Sequence, residues 1–186
     1  FYTCSVNSQS LIINEFSNGP SGTQEYVEFI ALDTGSNNNC APCIDIRGWI
    51  IDDNNGYHGS AGIAGGCNRF SNDAFWSCIP LGTMITIYNG TDPNIDIPAD
   101  DIDINDGNCK LVISIENTTL FESNLNTPSP VICDYPIAGW TAGGNWSRMG
   151  MRNGGDCLRL VDLTGCEVFS LSYGDISLNS TIYLPG

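Results

Sequence analysis

Nine cysteines, spread along a chain of 186 residues rather than clustered, constrain this sequence more than any other feature. A reduced cytosolic protein seldom carries so many, so the pattern predicts disulfide bonds and secretion to an extracellular or cell-surface location. Because the number is odd, at least one thiol has no partner within the chain. Either Cys4 links neighbouring subunits, or one thiol is buried and free. The cysteines are Cys4, Cys40, Cys43, Cys67, Cys78, Cys109, Cys133, Cys157 and Cys166.

Other uses of cysteine fit the sequence less well. Cys40-Ala-Pro-Cys43 has the spacing of zinc ligands, but no second such pair follows, and His58 is the only histidine. A thioredoxin-like site places its CxxC at the start of a helix, whereas this one lies among turn-forming residues. A disulfide between Cys67 and Cys78 would close the segment between them, although the sequence leaves the pairing of the cysteines open.

The charge balance excludes several kinds of partner. The net charge is −15, from 21 acidic and 6 basic residues. No basic patch exists to neutralise phosphates, so we expect binding neither to nucleic acid nor to an anionic membrane surface. No apolar run approaches the roughly 20 residues of a membrane span, so we also expect no membrane insertion.

The distribution of apolar residues predicts an all-β protein. Short runs rich in β-branched and aromatic residues alternate with turn clusters of Gly, Asn, Asp, Ser and Pro. A single β-sandwich or Greek-key barrel over residues 1–186 fits this pattern. Residues 70–76 are either a short helix or irregular, and residues 162–165 join the last two strands as a hairpin. The predicted strands are residues 10–16, 24–32, 44–51, 81–88, 110–115, 157–161 and 168–173.

Segments at both ends of the chain carry a family resemblance. The first set is Leu11-Ile-Ile-Asn-Glu15, Glu25-Tyr-Val-Glu-Phe29 and Ile46-Arg-Gly-Trp-Ile50. The second is Met151-Arg-Asn-Gly-Gly-Asp156, Leu158-Arg-Leu-Val-Asp162 and Ser172-Tyr-Gly174. In this order they resemble the lamin-tail domain, which implies an immunoglobulin-like β-sandwich with long loop insertions. The elaborated middle section, about residues 53–150, resembles the version found in secreted surface proteins of Bacteroidota.

Residues for catalysis are not grouped in any recognisable motif. His58 is the sole histidine, and no GxSxG nucleophile motif occurs. No glycine-rich phosphate loop leads into a helix, and no carboxylate stands in the context of a glycosidase site. We therefore expect a protein that is not an enzyme and needs no cofactor, with calcium as a possible exception.

The calcium hypothesis rests on an acidic segment within a predicted surface loop, residues 91–108. Asp101, Asp103 and Asn105 alternate as oxygen ligands would, with Asp106 beside them. The following glycine falls one place late for an EF-hand, and Val112 stands where its glutamate belongs. A solvated acidic loop is the alternative.

Asparagine glycosylation sites are a further possibility suggested by the sequence. Asn-X-Ser/Thr triplets begin at Asn89, Asn117, Asn145 and Asn179. In a secreted protein they would lie on surface loops. They matter only where the source organism glycosylates asparagine.

Two functions follow from these features. The first is a non-enzymatic structural protein whose partners are copies of itself, as the subunit of a surface filament or coat. Residues 1–6 would then pair with a neighbour's sheet edge, unless they form a strand of their own sheet. The second is an adhesion module that binds glycan or a surface protein, with calcium as a possible requirement. Its binding rings would be Tyr57, Phe75, Trp76, Trp140 and Trp146, for which packing in the core is the alternative.

Overall fold

The computed structural model describes residues 9–20, 22–33, 43–53, 65–127, 135–151 and 155–174. In these ranges the regular structure consists of β-strands and two short 3-10 helices, Ala74–Ser77 and Trp146–Arg148, with no α-helix. The all-β prediction is confirmed. Among the same residues, no helix is long and apolar enough to cross a membrane.

The strands form two large sheets and one small one. The strands are β1 Gln9–Ser17, β2 Tyr26–Asp33, β3 Cys43–Ile44, β4 Ile50–Asp52, β5 Cys67–Phe70, β6 Ile79–Pro80, β7 Met84–Tyr88, β8 Lys110–Ser114, β9 Phe121–Asn124, β10 Thr141–Ala142, β11 Gly155–Val161 and β12 Glu167–Gly174. The first large sheet has four strands in the order β1-β2-β7-β8, antiparallel except that β7 and β8 run parallel. The second has six strands in the order β10-β9-β5-β4-β11-β12, and β3 pairs with β6 separately.

The hydrophobic core lies between the two large sheets. Alternate residues of β2, such as Val27 and Phe29, are fully buried, as period-two alternation requires. At the centre, the ring of Phe70 lies 6.1 Å from Phe29 and 4.8 Å from Trp76. The indole N–H of Trp76 donates to the Leu120 carbonyl at 2.7 Å. Because this polar group is satisfied, the ring can be buried completely.

The predicted strand over residues 44–51 is wrong, because a turn divides it into β3 and β4. Gly48 has φ +72°, a left-handed conformation that glycine adopts without a steric penalty. Trp49 follows this turn and is buried in the core, and it lies just before β4.

Several short elements follow the sequence pattern only in part. The single-turn helix Ala74–Ser77 confirms one of the alternatives for residues 70–76. The hairpin at residues 162–165 is confirmed by the antiparallel pairing of β11 with β12. The strands β5, β9 and β10 were not predicted. Polar side chains interrupt their pattern, and Asn68 of β5 is buried because it bonds to both backbone groups of Asn145.

The suggested disulfide between Cys67 and Cys78 does not form. Cys78 is bonded to Cys43, with the two Cα atoms 5.0 Å apart, and this bond lies beside the pairing of β3 with β6. Cys67 is a buried thiol that packs with Ile50 and Val161. Cys67 belongs to β5, in the middle of the six-stranded sheet, so its side chain packs into that cluster, whereas Cys78 is exposed.

We predict that Phe70→Ala lowers the free energy of unfolding by about 3–5 kcal/mol, because it leaves a cavity among the central rings. Chemical denaturation followed by tryptophan fluorescence measures this loss. Ile137→Ala is the matched control, since Ile137 is 98% exposed and its truncation should change stability by less than about 0.5 kcal/mol. Equal losses in both variants would contradict this account of the core.

Candidate functional site

Glu25, in one of the segments that resemble the lamin-tail domain, has a structural role. It lies just before β2, is buried, and accepts hydrogen bonds from the indole N–H of Trp146 and, at 3.0 Å, from the backbone N–H of Met151. Burial raises the pKa of its carboxyl above the ordinary value, an effect that these two hydrogen bonds oppose. The carboxylate thus connects β2 to the segment that leads into β11.

We predict that Glu25→Gln lowers the free energy of unfolding by about 1–3 kcal/mol. Both carboxylate oxygens accept a hydrogen bond, and an amide can present only one oxygen, so its NH₂ must face a donor. Thermal and urea denaturation measure the change. Glu15→Gln is the control, because Glu15 is exposed and accepts one hydroxyl hydrogen bond, which an amide oxygen can also accept. A neutral Glu25→Gln variant would refute the structural role.

The proposed calcium ligands lie in the acidic loop, where they bond to the loop itself. Asp101 and Asp103 each accept from the backbone N–H two residues ahead, at 3.1 and 2.9 Å. The amide nitrogen of Asn108 donates to Asp101 at 2.8 Å and to Asp106 at 2.5 Å. In the described part of the chain, no group of three His, Cys, Asp or Glu residues could hold a metal ion. The calcium site, which also includes Asn105, stays a prediction.

The same loop closes the outer edge of β8. The backbone N–H and C=O of Val112 both bond to Asp101, at 2.9 Å each. On either side, the Lys110 N–H donates to the Asn108 side chain at 2.6 Å, and the Ser114 carbonyl accepts from Asn117 at 3.1 Å. The N–H and C=O groups of this edge strand are therefore largely occupied within the chain.

The backbone of β1, in contrast, has outward-facing groups at Leu11 and Ile13. The backbone N–H and C=O of Ala31 bond to the segment before β7. Because the backbone groups of successive residues in a strand point to opposite sides, those of the neighbouring Ile30 point to β1. Ile12 is the partner of Ile30, and its backbone groups point back to β2. Those of Leu11 and Ile13 therefore point away from the sheet.

The backbone of β12 has an outward-facing group at Ser170, by the same reasoning. The Trp49 carbonyl accepts a hydrogen bond from β5. Backbone groups point to alternate sides along a strand, so those of Asp52, three residues later, point to β11 and bond there to its partner Arg159. Ser170 lies opposite Arg159 on the other side of β11. Its own N–H and C=O consequently point away from the six-stranded sheet.

These two edges lie on the same side of the molecule. Phe16 of β1 and Tyr173 of β12 are in contact across the two sheets, with ring centroids 4.6 Å apart. Among the described residues, no further strand pairs with the outward-facing backbone groups of β1 and β12, and we call these groups the open side. The fourth edge strand, β10, has only two residues. Sequence patterns cannot reveal this asymmetry, because an edge is defined by what lies beside a strand.

The cysteines are in several states. Cys67 and Cys157 carry buried thiols, and the thiol of Cys109 is exposed. Burial is the main cause that raises the pKa of the Cys67 thiol, so it resists ionisation. Cys166 is disulfide-bonded. Cys4, Cys40 and Cys133 lie outside the described residues, so the intermolecular link through Cys4 stays a prediction.

The proposed glycosylation and sugar-binding residues are mostly within the described ranges. Asn89, Asn117 and Asn145 each accept a hydrogen bond from the backbone N–H two residues ahead, and Asn179 lies outside the described residues. Of the rings considered for sugar binding, Trp76 and Trp146 are buried and Phe75 packs against the core. Trp140 is half-buried, with the Arg69 guanidinium 4.2 Å from its ring centroid. Tyr57 and His58 lie outside the described residues.

Comparison with known proteins identified no similar protein. No family model, curated protein or solved structure matches this chain. Function must therefore be argued from the chain's own geometry.

Proposed function

We propose that this protein is a non-enzymatic extracellular structural subunit that assembles with copies of itself into a filament or coat. One observation carries the proposal, which is the open side. There, two long edge strands, Gln9–Ser17 and Glu167–Gly174, lie next to each other. Edge strands with unpaired N–H and C=O groups accept a further strand from another chain.

The contrast with the other edges supports this proposal. Soluble proteins usually block their sheet edges with bulges, charges, prolines or covering loops. Here the loop that contains Asp101 covers β8, and β10 is very short. On the open side, the segment Phe169–Gly174 contains neither charge nor proline. The bulge in β1 near Asn14 leaves a regular register from Gln9 to Ile13.

The finer fold assignment belongs to the same proposal. We infer an immunoglobulin-like β-sandwich of the lamin-tail type, because segments that resemble that family coincide with β1, β2, β11 and β12. The two large sheets around one core are compatible with it. Secretion is supported by the disulfide between Cys43 and Cys78.

We predict that Ser170→Pro reduces assembly about tenfold, measured as the assembled fraction in sedimentation velocity and by electron microscopy of the full chain. Proline removes the outward N–H of Ser170 and leaves the bonds between β11 and β12 in place, so the fold should persist. Circular dichroism and thermal denaturation check that it does.

Two controls isolate the edge. Ala142→Pro removes a backbone N–H on the short edge strand β10. This N–H also points outward, because the backbone N–H of the neighbouring Gly143 bonds to β9. Ser170→Ala removes only the hydroxyl, which bonds to Glu167 at 2.9 Å. Both variants should assemble like the parent chain. A parent chain that stays monomeric at high concentration, or a folded Ser170→Pro variant that assembles normally, would overturn the proposal.

A further inference from the structure

The outer face of the four-stranded sheet carries a group of acidic and tyrosine side chains. Glu15, Glu28 and Thr86 are cross-strand neighbours on this face, and Tyr26 lies beside Tyr88 in the next row. Asp100, from the acidic loop, joins them through Tyr88. We call the set Glu15, Tyr26, Glu28, Tyr88 and Asp100 the acidic face. It points away from the core, because the alternate residues of β2 are the buried ones.

Hydrogen bonds hold these carboxylates in place. The hydroxyl of Tyr26 donates to Glu15 at 2.5 Å, and the hydroxyl of Tyr88 donates to Asp100 at 2.6 Å. The Asn14 amide donates to Glu28 at 2.7 Å. The bond to Glu15 is the main cause that raises the pKa of Tyr26 to about 12. Each carboxylate retains oxygen lone pairs that a cationic donor could use.

The arginines in the described ranges are engaged elsewhere. In the described ranges, the ion pairs of arginine join Arg47 to Asp45, Arg69 to Glu122 and Arg159 to Glu167. Arg148 donates to the Gly65 carbonyl at 2.8 Å. No ion pair in the described ranges involves the acidic face, so the negative charge of its carboxylates is not balanced there by a paired cation. With a net charge of −15, a second copy of the chain is a poor source of compensating charge.

An apolar row borders the acidic face on the same side of the sheet. Ile12, Ile30 and Met84 are cross-strand neighbours, all half-buried, and Lys110 lies at the end of the row. A partner strand whose side chains alternate would thus meet carboxylates and tyrosine rings beside aliphatic surface. Tyrosine faces also attract guanidinium and ammonium groups.

We propose that the acidic face is a docking surface for a basic, extended segment of another protein, with arginine or lysine side chains on the carboxylates and apolar ones on Ile12, Ile30 and Met84. The negative charge of the acidic face, which no described ion pair balances, favours this cationic occupant. The surface differs from the open side, so the partner could bind whether or not the protein assembles.

The experiment uses the full chain carrying Ser170→Pro, to limit self-association, and a capped peptide of alternating arginine and valine. We expect the ring signals of Tyr26 and Tyr88 to shift on titration, followed by nuclear magnetic resonance. Glu15→Gln combined with Glu28→Gln should weaken binding about fivefold, from two lost exposed charge pairs. The new amide oxygens can still accept from the Tyr26 hydroxyl and the Asn14 amide, and the Thr86 hydroxyl, 3.5 Å from Glu28, can accept from the new NH₂. High salt should weaken binding further.

The matched control removes the same charge elsewhere. Asp73→Asn combined with Asp162→Asn keeps the acceptor oxygens that these turns use, and should change binding less than about twofold. Equal weakening in both double variants would mean only non-specific attraction and would overturn the proposal. Equal binding of a glutamate–valine peptide would also overturn the proposal, and so would saturation of the same signals by calcium alone. Concentration-dependent shifts without peptide would overturn it too, because they would mean that a second copy covers the face.

Discussion

Every strand in a sheet carries backbone N–H and C=O groups along both of its sides, and those on the outer side of an edge strand need another partner. Two large sheets have four such edges. The chain occupies the edge of β8 with its acidic loop and keeps β10 to two residues. The long edges, β1 and β12, meet through Phe16 and Tyr173. Within the described residues, the outward-facing backbone groups of the long edge strands are therefore concentrated on one side.

The acidic loop illustrates how one segment serves the fold through its backbone while its charges remain at the surface. Asp101 bonds to Val112 through its main chain, and its side chain bonds within the loop. The hydrogen bond from Asn108 lowers the pKa of the Asp101 carboxyl, so this carboxylate remains ionised in ordinary conditions. A sequence motif that suggests cation ligands is thus also the element that closes a sheet edge.

Buried polar groups set the limits of what sequence patterns predict. Asn68 and Glu25 interrupt the apolar pattern, yet both are buried because backbone groups and an indole N–H distant in sequence satisfy them. Period-two alternation located β1, β2, β7, β8, β11 and β12, where apolar residues dominate the inner face. It failed at β5 and β9, because their polar residues acquire partners only after the chain has folded.

The sequence by itself determined the all-β class, the last hairpin and the presence of disulfide bonding, and it left residues 70–76 open between a short helix and an irregular stretch. These depend on local preferences and composition, which act over a few residues. Only the tertiary structure decided that Cys43 rather than Cys67 bonds to Cys78, that Asp101 covers β8, and that β1 and β12 share the open side. Each of these depends on which strands become neighbours, and that is settled by packing between residues far apart in the chain.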